Sequence, residues 1–222
     1  MKVSSKNFNM TPPPFAQSLS YELKFKRDYK YPFSFSKNTY LCTAAQAYNT
    51  FYPKSDSSKA NYIFYYGDHF PKLNQITELI DPIRYISTST EYKNLKAAVN
   101  PKKGLDSFWL KLGKNEENSK ELLEEYYKRI EIANKFFSSY KEGWKTDRGI
   151  IYIIYGTPST IRKNADKEVW MYGEENNVLS MQFRFYQTES LNISNHYELV
   201  RNSDYKNNWY RQVDLWRQGK VE

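Results

Sequence analysis

One run, KEGWKTDRGIIYIIYGTPSTI from Lys141 to Ile161, concentrates the residues of this chain that could do chemistry. Asp147 beside Arg148 sets a carboxylate next to a guanidinium with five donors, and Tyr152, Glu168 and Tyr172 follow closely enough to line one cleft with them. Two acids across such a cleft, Asp147 and Glu168, would suit a hydrolase of carbohydrate or peptide, one protonating a leaving group while the other activates water. Other chemistries have less to work with. A nucleophilic hydroxyl or thiol wants a histidine base beside it. The chain has His69 and His196, far apart, and a single cysteine, Cys42, inside the apolar run TYLCTAAQAY. That inventory excludes a disulfide framework and a cage of Cys or His around zinc. Asp68 and His69 in YYGDHF could offer two metal ligands, but neighbours on a strand point to opposite faces. YGTPST lacks the lysine and the glycine spacing of a phosphate-binding loop. No catalytic residue, metal ligand or cofactor is therefore assigned.

Every residue of the run also has a structural use. Gly143 can take the positive φ that reverses a chain after a helix, and Trp144 can bury against the helix end. Thr146 and Asp147 carry short oxygens that accept backbone N–H groups in a turn, and Arg148 can clamp carbonyls or a carboxylate. Gly156 and Pro158 then stop the element that follows. A structural corner and a binding site both remain open on these residues.

The elements that position the run can be read from periodicity. From Asn118 to about Ser138, Leu122, Tyr126, Ile130, Ala133 and Phe137 recur at helical spacing, widened by Leu123, Tyr127 and Phe136, with Asn118 and Glu121 as a capping box. KLNQITELID, STEYKNLKAAV and GLDSFWLKLG read as shorter helices before it. After the corner, GIIYIIYG reads as an apolar strand and STIRKNADK as a polar connection. EVWMYG, VLSMQFRFYQ and HYELV read as further strands, with a tight turn at Asn176-Asn177. NNWYRQVDLWRQG places Trp209, Val213 and Trp216 on one helical face. Upstream, YELKFK, YPFSFS, TYLCTAA and NYIFYY read as short strands, and Pro12, Pro13 and Pro14 make the start extended and loose. The fold class is α+β: residues 1–14 as a flexible tail, 15–70 as a β-rich segment, and 71–222 as a domain with a long helix packed on an antiparallel meander.

Length and composition bound the rest. At 222 residues the chain can bury a core without staples. Its formal charge of +8 is uneven: residues 1–100 carry 13 basic and 7 acidic side chains, and the remainder 20 and 18. No nucleic-acid-reading motif accompanies that charge, and no stretch of 18 apolar residues could span a membrane.

The sequence GWKTDRGIIYIIYGTP resembles the GWxTD-domain family, known from envelope-associated proteins of Bacteroidota-type bacteria. Gly143, Trp144, Thr146 and Asp147 supply the name. The likeness extends through RYISTSTEYKNL, LDSFW, YYKRIEIANKFF, YGTPSTI and EVWMY, the last bringing in Trp170 and Tyr172. The resemblance implies no established catalytic activity. It implies a non-catalytic interaction or assembly module, a periplasmic or outer-membrane location, a longer β-rich region and leader upstream in the full protein, and an envelope protein as partner. The amino-terminal strands themselves, short of neighbours in the sequence, would leave N–H and C=O groups unpaired, so the chain is expected to self-associate through them or to need its upstream region. A hydrolase with its cleft near Asp147 and Glu168 is the alternative.

Overall fold

A computed structural model describes residues 2–4, 10–17, 48–51, 61–174, 177, 180–188 and 195–221. The amino-terminal part contains an antiparallel three-stranded sheet, β1 (Lys2–Ser4), β2 (Tyr48–Phe51) and β3 (Asn61–Phe64), in that order. NYIFYY supplies β3. The strands read at YELKFK and YPFSFS, and TYLCTAA with Cys42, lie outside the described residues.

Helices follow. α1 (Ile76–Ile80) runs into a 3-10 turn over Asp81–Tyr85, where Pro82 occupies a first-turn position and its missing N–H leaves no bond unmade. α2 (Ser89–Lys96) opens with a capping box: Thr88 accepts the Glu91 N–H, and the Glu91 carboxylate accepts the Thr88 N–H. α3 (Pro101–Gly113) and α4 (Glu116–Phe137) are joined by Lys114, at a left-handed φ of 67°, and Asn115. Asn115 caps α4 by accepting the Asn118 N–H at 2.8 Å, so the helix starts before the capping box read at Asn118. Leu122, Tyr126, Ile130 and Ala133 are buried as the spacing requires, while Phe136 is exposed. Tyr126 and Tyr127 donate their hydroxyls to the carbonyls of Pro82 and Leu79, tying α4 to the preceding turns.

The main correction falls on GIIYIIYG. It is a helix, α5 (Asp147–Tyr155), and not a strand. Its β-branched run fits a strand locally, but Thr146 caps the first turn and Gly156, at φ 77°, caps the last. Ile150, Ile151, Ile153 and Ile154 are all buried, so the helix is apolar on nearly every side because neighbours cover it. α4 packs against it, and it also touches the last strand and the last helix.

The four-stranded sheet has the order β4 (Thr160–Lys163), β5 (Lys167–Tyr172), β6 (Met181–Gln187) and β7 (Tyr197–Leu199), antiparallel throughout. STIRKNADK, read as a connection, thus provides β4. The tight turn read at Asn176-Asn177 involves Asn176, which lies outside the described residues. Trp170 pairs with Phe183, and Phe185 with Leu199; these four and Tyr197 face inward. Phe137 at the end of α4 meets the sheet through Trp170, ring centroids 5.2 Å apart. α6 (Tyr205–Gln218) docks through Trp209 and Trp216, and the Trp216 indole donates to the Ile154 carbonyl at 3.1 Å. The described residues form an α+β fold whose helices and four-stranded meander share one core.

Candidate functional site

The GWxTD run lies where α4 ends and α5 begins, and its geometry starts with α4. Asn134, 1% exposed, bridges two segments: its amide donates to the Pro71 carbonyl at 2.8 Å, and its oxygen accepts the Trp144 N–H at 3.1 Å. Ser138 donates to the Asn134 carbonyl and accepts the Gly143 N–H at 2.8 Å. Asn195, just before β7, donates to the carbonyls of Phe136 and Ser138 that the helix end leaves over.

Gly143 opens a 3-10 turn over Gly143–Lys145. Its φ is not positive, contrary to the expectation from sequence. A glycine is required because a Cβ there would lie 1.8 Å from the Ala133 carbonyl oxygen. Trp144 is buried edge-on to Tyr85, and its carbonyl accepts the Tyr85 hydroxyl at 3.3 Å. The Lys145 ammonium covers the indole at 5.0 Å.

Thr146 is the N-cap of α5: its hydroxyl donates to the Gly143 carbonyl and accepts the Gly149 N–H at 3.0 Å. Asp147 turns away from its own helix. One carboxylate oxygen accepts the Leu199 N–H at 2.7 Å, and the other accepts the Thr11 hydroxyl and the Arg201 guanidinium, each at 2.5 Å. Arg148 points to the sheet. Nη1 reaches both oxygens of Glu168 at 3.2 and 3.3 Å, and Nη2 donates to the backbone carbonyl and side-chain oxygen of Asn195. Its guanidinium carbon lies 4.1 Å from the Tyr197 ring centroid and 5.3 Å from that of Phe137.

Glu168 also accepts from Lys163 at 2.9 Å and from the Trp170 indole at 3.2 Å. Burial alone would raise its pKa, but the combined attraction of Lys163, Arg148 and Trp170 wins and holds the carboxyl below its ordinary value. Gly156 sits against the Arg129 guanidinium, and its carbonyl accepts the Tyr172 hydroxyl at 3.0 Å. Pro158 is half-buried in the turn before β4, and Tyr152 lies edge-on to Phe137.

The structure thus brings the motif residues together, yet Asp147 and Glu168 share no partner. Each is held by its own arginine. Asp68 and His69 are exposed, and among the described residues no group of three or more His, Cys, Asp or Glu could hold a metal ion. No helix among them is long and apolar enough to cross a membrane.

Several residues at the site escape sequence reasoning. Thr11 and Arg201 come from opposite ends of the chain, and nothing local marks them. Asn134 could have been found, because a polar residue next to Ala133 on the buried stripe of α4 has to be satisfied by something. Lys141 is 4% exposed; burial lowers its pKa to about 8, opposed by the nearby charges of Asp147 and Glu198. Ser139 Oγ lies 3.2 Å from His196 Nδ1, both residues buried, a pairing of positions 57 apart.

The architecture is a helical and antiparallel α+β domain built around a Gly-Trp-x-Thr-Asp corner. The family model of the GWxTD domain matches residues 47–218, and the chain belongs to that family. The match starts upstream of residue 71, so it takes in β2 and β3. No curated protein and no solved structure matches the chain.

Proposed function

We propose that this protein is a non-catalytic interaction or assembly module of the bacterial cell envelope, periplasmic or attached to the outer membrane. One observation carries the non-catalytic half of the reading: the polar side chains of Thr146, Asp147 and Arg148 are engaged by this chain's own groups, and Glu168 with them. A general acid or nucleophile needs a free lone pair or proton aimed at a substrate, whereas these carboxylates are neutralised by arginines. The envelope half rests on the family resemblance. Isolation of the tagged full-length gene product from fractionated cells tests both halves. Recovery with envelope proteins is the expected result; recovery from the cytoplasm alone, monomeric and without partners, would sink the reading.

One observation favours a second reading, a hydrolase placed elsewhere than Asp147 and Glu168. Ser139 Oγ faces His196 Nδ1 at 3.2 Å, and His196 Nε2 lies 3.6 Å from Glu198 Oε1, a row of hydroxyl, imidazole and carboxylate. Ser139 is only 5% exposed, which leaves little room for a substrate carbonyl. Covalent labelling of the folded protein by a fluorophosphonate, lost in Ser139→Ala, would establish the hydrolase; an unlabelled folded protein favours the module.

A further inference from the structure

Residues 10–16, Met-Thr-Pro-Pro-Pro-Phe-Ala, lie across the face made by Asp147, Arg201 and α6. Prolines 12, 13 and 14 have no N–H, so this stretch cannot pair as a strand; the Ala16 N–H closes a turn on the Pro13 carbonyl at 3.0 Å, and the other carbonyls need donors from outside. Arg201 supplies them. Its Nη1 donates to the carbonyls of Pro12 at 3.0 Å, Pro13 at 2.6 Å and Ala16 at 3.3 Å, while Nη2 donates to Thr11 Oγ1 at 3.2 Å and to Asp147. Asp147 accepts the Thr11 hydroxyl's hydrogen bond and fixes the fork. Phe15 stacks at a tilt on Tyr210 with centroids 5.4 Å apart, and Thr11 and Pro14 are buried.

The arrangement is that of a ligand in a receptor. A hydroxyl is read by a carboxylate, three carbonyls by one guanidinium, and one ring by another. None of these contacts depends on the segment belonging to the same chain, and prolines fix the backbone beforehand, so little conformational freedom is lost on binding.

We propose that the Asp147–Arg201 fork with Tyr210 is a binding site for a Thr-Pro-Pro-Pro-Phe-type segment of a partner polypeptide, turned at its Pro-Phe end, with residues 11–16 of this chain as its resident occupant. The proposal rests on the module reading and names its partner's chemistry. It gives the aspartate of the family motif a second task beyond joining α5 to β7.

The test uses the full chain and a fluorescein-labelled peptide of residues 9–18, NMTPPPFAQS. In Thr11→Glu/Phe15→Glu the resident segment carries a carboxylate against Asp147 and leaves the fork. Fluorescence anisotropy should then show the peptide binding at least about tenfold more tightly than to the parent chain. That gain should vanish on adding Arg201→Gln, or when valine replaces threonine in the peptide. A variant that is folded by circular dichroism and binds no better than the parent overturns the proposal, as does binding indifferent to Arg201. If the double variant does not fold, the parent chain decides. Saturating unlabelled peptide should shift the nuclear resonances of the chain's own Thr11 and Phe15 by displacing the segment, and unchanged resonances overturn the proposal. Retention of an envelope partner by Arg201→Gln would leave the module reading standing and remove only the fork from it.

Discussion

Replacing Asp147 by asparagine changes one atom and a charge, and the consequence can be worked out from three hydrogen bonds. The carboxylate accepts the Leu199 N–H on one oxygen, and the Thr11 hydroxyl and Arg201 guanidinium on the other, at a site 7% exposed. An amide keeps a single acceptor. If its oxygen faces Leu199, its NH2 meets the donors of Arg201; if it faces Arg201, the NH2 meets the Leu199 N–H. Either way donors are opposed and a guanidinium loses its counter-charge. Breaking a buried ion pair from one side costs about 3–5 kcal/mol, and the surviving neutral bond offsets about 1 kcal/mol, leaving a loss of about 2–4 kcal/mol. For a chain of this size that is a fall in melting temperature of roughly 5–15 °C. Urea unfolding followed by tryptophan fluorescence measures it, with m unchanged if only the native state is affected. In a double-mutant cycle with Arg201→Met the two substitutions should couple by about 1–3 kcal/mol. A variant within about 0.5 kcal/mol of the parent, or full additivity in the cycle, would refute the reasoning.

Trp144→Ala empties a site 3% exposed against Tyr85 and should cost about 3–5 kcal/mol in the same urea experiment; a loss below about 1 kcal/mol would show that the indole is not buried. Glu168 is held below its ordinary pKa, so its stabilisation is present above about pH 4.5 and lost as pH falls through its folded value. Stability measured across that acid range should fall less steeply in Glu168→Gln than in the parent, and parallel curves would contradict the assignment. Lys141, brought by burial from 10.5 to about 8, binds its proton less tightly folded than unfolded, so its contribution to stability rises with pH between those values. At about 1.4 kcal/mol per tenfold change in proton affinity, the charged form carries roughly 3 kcal/mol of strain at neutral pH. Lys141→Met should therefore stabilise the protein by about 1–3 kcal/mol at pH 7 and lose the alkaline rise; destabilisation at pH 7 would count against it.

Much of the scaffold was legible in the sequence because its signals are local and repeated. The stripe from Leu122 to Phe137 gave α4, and Trp209 with Trp216 gave the docking face of α6. Alternation at Phe183 and Phe185 gave β6. The reading failed at α5, where four isoleucines argue for a strand by side-chain shape and tertiary burial overrides that preference. The decisive signs were present all the same: a threonine with an aspartate after it, then a glycine nine residues beyond Asp147, bracket a short helix. The family motif is thus in part a helix start. Gly143 shows the opposite case. Its requirement comes from the Ala133 carbonyl ten residues back, a packing distance that no dihedral argument reveals. The contacts of Asp147 were not legible, because Thr11 and Arg201 find it only through the completed fold.

That last feature bears on the order of events during synthesis. Asp147 gathers Thr11, Leu199 and Arg201, and Arg201 in turn holds the carbonyls of Pro12 and Pro13 across 189 and 188 positions. A clasp between residues this far apart cannot close until β7 and Arg201 have left the ribosome, whereas α3 and α4 can pair as soon as they emerge. Closing so large a loop comes late on the folding path. The clasp would then act chiefly on how long the native state persists and hardly on how fast it is reached. Such a latch leaves the chain unlocked while it is being made and slows its opening once the clasp has closed.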